Sequence, residues 1–314
     1  AFSVYTLVLV PAWGNPKYRA GLLPPRVMRR LNWIVLISLV IALGANILAL
    51  IQQTMVFFGA DIANVIDDEL WRVVQSGTTF GDMWSPRLLF LLIVGGLHAA
   101  SIYFRNDQPK SVRAFWVANM WATILIVATW SVSSHAAGSP LWPWIALAND
   151  WLHGLAVSFW AGGLITLVII LPVALQPYTS EQQRIVLLTV LRRFSRLAIV
   201  CVVLTIATGI YSALNWIYAP TMAISTYGGS LLLKIVLVVG LLLLGMVHHA
   251  ALRPEKYARW QGMFQRGASF IPTLRLEAVF ALIVISVVGL LSATPIPEPD
   301  ISNETIDIPS GILS

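Results

Sequence analysis

The sequence predicts an all-α integral membrane protein, and three observations carry that reading. The chain of 314 residues is 58% hydrophobic and only 11% charged, about half the charged fraction of a soluble domain. Its mean hydropathy is +0.79. Its apolar residues gather into runs of about 17 to 25, the length that crosses a ~30 Å hydrocarbon core as a helix. No long alternating pattern points to membrane strands.

The elements follow in order. Residues 1–13, AFSVYTLVLVPAW, are apolar but too short to span, and read as the end of a truncated first transmembrane helix. They carry neither a basic leading region nor a small-residue cleavage site, which argues against a signal peptide. Seven full spans are expected at about 31–53, 88–104, 114–133, 143–176, 196–217, 229–251 and 274–293. Within 62–74, Ile62, Val65, Ile66, Leu70, Val73 and Val74 fall at helical spacing beside an acidic face, the pattern of an interfacial helix. The membrane bundle therefore occupies 14–297, and 298–314 forms an acidic, Pro-containing, extended tail.

Charge orients these spans. Four connecting segments hold five, three, four and five Lys/Arg, which is 17 of the 20 in the chain. The opposite connections hold Arg72 and Arg87 with most of the acids, among them Asp61, Asp67, Asp68, Glu69 and Asp82. By the positive-inside rule the basic loops are cytoplasmic. Counting the truncated helix, eight spans then leave both termini outside. The same asymmetry accounts for the net charge of +6 without nucleic acid. One cysteine, Cys201, excludes an internal disulfide or a Cys-pair metal motif. No Walker or GxGxxG fingerprint is present, so ATP-driven transport has no support within this chain. A transport or binding protein fits better than an enzyme.

Function is sought in the ionisable residues inside the spans, where charge is costly. NDWLHGLAVSFWAGG (149–163) places Asp150 and His153 three residues apart on one helical face. His135 ends the preceding span, and His98 lies near mid-membrane in VGGLHAAS. Near the cytoplasmic side lie Met246, His248, His249 and Glu277. Neutral imidazole binds copper, zinc and haem iron, carboxylate adds a ligand, and thioether or thiolate favours Cu(I). Plainer roles are also open: a hydrogen-bonded helix lock at Asp150 and His153, packing at His98, and snorkelling at Glu277 and Lys234. His98 and His153, on different spans, are alternatively an axial pair for haem b in an electron-transfer protein. A third reading is a structural accessory subunit of a larger membrane complex. The tryptophans near span ends read as interfacial anchors, and AGG (161–163) and Gly209 as sites of close helix packing.

SSHAAGSPLWPWIALANDWLHGLAVSFWAGGL resembles the histidine-bearing helix pair of the bacterial copper-resistance protein D (CopD) family. SGTTFGDMWSPRLL, LRRFSRLAIVCVVLTIATGIYSAL, TYGGSLLLKIVLVVGLLLLG and LRLEAVFALIVISVVGLLSATPIP resemble further family segments in the expected order. The resemblance covers most of 31–297. It implies an eight-helix inner-membrane protein of copper homeostasis that takes copper from the periplasm for transport or delivery to cuproproteins. It gives metal roles to His135, Asp150 and His153 and says less about His98. A periplasmic copper carrier or a cuproprotein is the implied partner. MVHHAALRP departs from the Asn-Arg type ending of relatives and adds possible ligands on the inner side.

Overall fold

The computed structural model describes residues 1–13, 23–105, 109–134, 142–216, 226–251 and 270–293. Among them all regular structure is helical. The first helix, α1, is π-helical over Val4–Leu9 and α-helical over Val10–Trp13. Then come α2 (Pro25–Phe58), α3 (Ile62–Asp67), α4 (Trp71–Gly77), α5 (Thr79–Tyr103), α6 (Pro109–Val132), α7 (Pro143–Leu175), α8 (Ser180–Trp216), α9 (Thr226–Ala251) and α10 (Phe270–Ala293). Six of the described helices are long and apolar enough to cross a membrane, and α1 and the apolar stretch Leu232–Val247 of α9 are shorter.

A helix lies at each of the seven expected spans, six of them long and apolar enough to cross among the described residues, and several run further than hydropathy indicates. α8 begins at Ser180 and carries Arg184, Arg192, Arg193 and Arg196 within it. Hydropathy registers only the part in hydrocarbon, whereas backbone bonding continues a helix into water without loss. Local chemistry sets other ends. Pro25 and Pro143 open α2 and α7 at positions where a missing N–H costs nothing. Thr78 caps α5 by accepting from the Gly81 N–H at 3.2 Å. Residues 62–74 form α3 and the start of α4 rather than one helix. Asp61 caps α3, and Glu69 turns the chain at φ 52° before α4 begins.

α7 is the centre of the bundle. It packs most extensively on α8, and also against α2, α6, α10 and α1. Trp160, Leu164, Leu167, Ile170 and Leu171 are buried along it, together with the small residues Ala156, Ala161, Gly163 and Ala174. Lipid tails are as apolar as leucine, so helices in a bilayer associate through close packing rather than hydrophobic contrast. Gly163 shows how close: a Cβ there would sit 2.8 Å from Cε2 of Phe194 on α8. The outward faces are apolar instead, as at Val40, Ile41 and Leu48 of α2, as a lipid-facing surface requires.

Arg87 corrects the sequence reading. Counted there with the outer loops, it lies about 12 Å along α5 from Thr79 and is 1% exposed. Its Nε donates to Thr129 Oγ1 at 3.0 Å, and its Nη2 donates to the Thr129 carbonyl at 2.9 Å and to Ser133 Oγ at 2.8 Å. Nη1 reaches Asn46 Oδ1 at 3.4 Å. The guanidinium also lies 4.0 Å from the centroid of the Trp130 ring, a cation–π contact strengthened by desolvation. Oxygen acceptors on α2 and α6 thus replace the hydration shell, and Arg87 ties three helices together. Replacing Arg87 with alanine should destabilise the protein by about 3 kcal/mol, the scale of buried bonds to a charged group. Thermal unfolding in detergent checks this, and an unchanged midpoint would remove Arg87 from the list of structural ties.

Candidate metal-handling site

The first turns of α7 and the last turns of α8 meet roughly 10 to 15 Å inside the end of the bundle that carries the acidic connections. Asn149 and His153, one turn apart, face α8 together. Asn149 Nδ2 donates to the Thr208 carbonyl at 3.1 Å and to Ser212 Oγ at 2.9 Å. His153 Nδ1 lies 2.8 Å from Thr208 Oγ1. The Thr208 hydroxyl already donates its single hydrogen to the Leu204 carbonyl at 2.6 Å. With that hydrogen so engaged, its oxygen is free to accept from His153, an arrangement that carries the ring hydrogen on Nδ1 and the lone pair on Nε2; the Thr205 backbone carbonyl also accepts from the ring. A threonine thus fixes the tautomer that presents Nε2 as a ligand, as the supporting partners of metal-bound histidines do. Gly209 leaves room for the ring: a Cβ there would stand 3.7 Å from His153 Cε1, an ordinary contact.

Asp150 is held differently. Its Oδ2 lies 3.1 Å from Ser134 Oγ at the end of α6. That hydroxyl also faces the Ser131 carbonyl at 2.8 Å, so one hydrogen serves two acceptors and the carboxylate is only partly satisfied. Lys234 on α9 is half-buried and acts electrostatically on both Asp150 and His153. No ion pair within 4 Å joins it to Asp150 among the described residues. Lys234, expected from the sequence to snorkel outward, is thus half-buried within electrostatic reach of the site. Its spacing from Asp150 and His153 is not visible in sequence, because it arrives from a helix more than 70 residues away.

Among the described residues no three of His, Cys, Asp and Glu converge as a ready-made metal cage. Asp150 and His153 lie three residues apart on α7 within electrostatic reach of each other, the first held at the end of α6 and the second on α8. His135, the third expected there, lies outside the described residues, directly after Ser134 in the chain.

His98 is set apart from this pair. It is 5% exposed on α5, with Trp116 edge-on at a centroid separation of 5.7 Å and Phe2 at 6.3 Å. By strict geometry neither ring nitrogen has a hydrogen-bond partner among the described residues, although the Asn32 backbone carbonyl stands against the ring as a loose acceptor. His98 and His153 occupy separate surroundings, and nothing in either favours a haem between them.

At the basic end, Ser195 Oγ on α8 lies 2.7 Å from His249 Nδ1 on α9. Glu277 on α10 is 5% exposed, which corrects the expectation that it snorkels. Its Oε1 lies 3.5 Å from where a Cβ on Gly245 would stand, one turn before His249. His249 is therefore the histidine of its pair that is seen to face α8, while the side chain of His248 lies outside the described residues. Met246, placed with them from the sequence, is 64% exposed on the surface of α9 and is separated from this cluster.

Comparison with known proteins gives the chain its family. The model described as copper resistance protein D-like, N-terminal domain, matches residues 2–142. The model described as copper resistance protein D matches residues 188–291. The chain is also 26% identical over 283 residues to the copper transport protein CutJ of Bacillus subtilis (strain 168), across 88% of this chain and 49% of that protein. It thus spans about half the length of that relative. No solved structure matches. With one model on each half of a helical bundle, the chain belongs to the copper resistance protein D family and is a multi-pass membrane protein.

Proposed function

We propose that this protein takes copper from the periplasmic side at Asp150, His153 and His135 and passes it on, by transport or by delivery to cuproproteins. The observation that carries the reading is the His153–Thr208–Leu204 chain, which leaves Nε2 with its lone pair beside an incompletely satisfied carboxylate. Membership of a copper-resistance family and similarity to a copper transport protein supply the metal. Copper is cargo here, not a resident cofactor. An imidazole, one carboxylate and a further histidine suit copper, and few donors suit release, since a conducting site must let its ion go. Lys234 weakens the site further by opposing any cation beside Asp150. His249 and Glu277, with His248, form the candidate exit at the basic end. A periplasmic carrier would load the site.

Anaerobic competition between the detergent-purified protein and a Cu(I) chelator tests this. Combining Asp150→Asn with His153→Ala should lower affinity about a hundredfold, the upper range for disturbing a metal's ligand shell. Copper binding that is absent from the unaltered protein, or indifferent to that double change, would sink the proposal. Thr208→Val removes the acceptor that fixes the tautomer and should cost about tenfold or more. Gly209→Ala should change nothing, because its Cβ meets the ring at ordinary contact distance.

Lys234→Met gives the opposite sign. Removing a cation from the neighbourhood of the site should raise copper affinity about tenfold, by simple Coulomb arithmetic in a partly buried setting. A weaker site in that variant would show that Lys234 supports the ligands rather than opposing the ion.

A further inference from the structure

A second polar centre lies toward the basic end, enclosed by α1, α2, α5 and α6. Six buried polar atoms there have no hydrogen-bond partner among the described residues: Asn32 Oδ1, both ring nitrogens of His98, Trp116 Nε1, and Nδ2 and Oδ1 of Asn119. Trp116 and Asn119 are 0% exposed and His98 is 5% exposed. The group is contiguous. The His98 and Trp116 rings meet at 5.7 Å, the Asn32 backbone carbonyl stands against His98 as a loose hydrogen-bond acceptor that falls short of strict geometry, and Asn119 follows Trp116 by one turn of α6. Phe2 closes against Trp116 at 5.2 Å, and Tyr5 lies 4.4 Å from the same ring.

Leaving one such atom unpaired in a membrane interior is expensive, and six together call for a ligand. Their chemistry decides which. The neutral imidazole offers one donor and one acceptor, the Asn119 amide offers both, Trp116 only donates, and Asn32 Oδ1 only accepts. A bare cation would meet the acceptors and leave the indole and amide N–H groups facing a positive charge. An anion would leave the imidazole lone pair and the amide oxygens unmet. Water meets both kinds. We infer that this polar cluster binds a small group of water molecules, about two at the usual three bonds each, and holds His98 as a hydrated imidazole inside the membrane. This hydration does not depend on copper passing through the protein.

X-ray radiolytic footprinting of the full chain in detergent tests it, because hydroxyl radicals form from bound water and label what lies beside it. Trp160 is a control, since it is 6% exposed and not among the residues with orphaned atoms. Trp116 should oxidise several-fold faster than Trp160, and the rate should be unchanged when Cu(I) is added anaerobically. His98→Leu combined with Asn119→Leu should bring Trp116 down to the Trp160 rate, with monodispersity on gel filtration confirming the fold. Trp116 labelled no faster than Trp160 in the unaltered protein would overturn the inference as a dry cluster. Labelling extinguished by Cu(I) would overturn it in favour of a metal ligand.

Discussion

The acidic end of the bundle depends on the direction of one hydroxyl. Thr208 sits mid-face on α8, and its hydrogen is drawn back to the Leu204 carbonyl of the preceding turn, a common habit of threonine within helices. That local bond orients everything facing it. The oxygen is left as an acceptor for Nδ1 of His153, an arrangement that keeps the lone pair on Nε2. The Thr208 carbonyl meanwhile accepts from Asn149, so two consecutive inward residues of α7 are registered on a single residue of α8. The central helix contact and the ligand-bearing tautomer have the same origin.

The buried polar groups differ in how completely the protein satisfies them, and the differences track what each group is free to do. Arg87 is nearly saturated: four bonds to three residues and an aromatic face leave it little capacity for a ligand. It is a structural cation. Asp150 and His153 are half-satisfied, each anchored on one side and open in its remaining valence. Ser133 and Ser134 join these two regimes, since the first holds Arg87 and the second shares its hydrogen with Asp150. The end of α6 is thereby clamped to α5 on one side and poised against α7 on the other.

The bundle was legible in the sequence because a membrane imposes length and apolarity on every span, and both can be counted. Asp150 and His153 were legible because two ionisable residues at helical spacing stand out in an apolar run. Arg87, Lys234 and Glu277 were not. A charge near the end of an apolar run has the same sequence signature whether it snorkels outward or turns inward. What decides is a partner on another helix: Asn46 and Thr129 lie 41 and 42 residues from Arg87. The exposed position of Met246 was not legible either, because a methionine among leucines carries no mark of its helix face. The orphaned atoms around His98 lay beyond sequence altogether, because no residue type announces that its partner is missing.

Lys234 gives the site its character. A carboxylate and an imidazole alone, in a low-dielectric interior, would hold a cation strongly, and strong binding opposes passage. Lys234 on α9 lies within electrostatic reach of both, and on the proposed copper route its charge would oppose an arriving cation. A purely structural lock would be better served by a direct lysine–aspartate pair, and none forms within 4 Å among the described residues. On the proposed copper route, separate charges near an imidazole suit a place where a cation rests briefly and moves on.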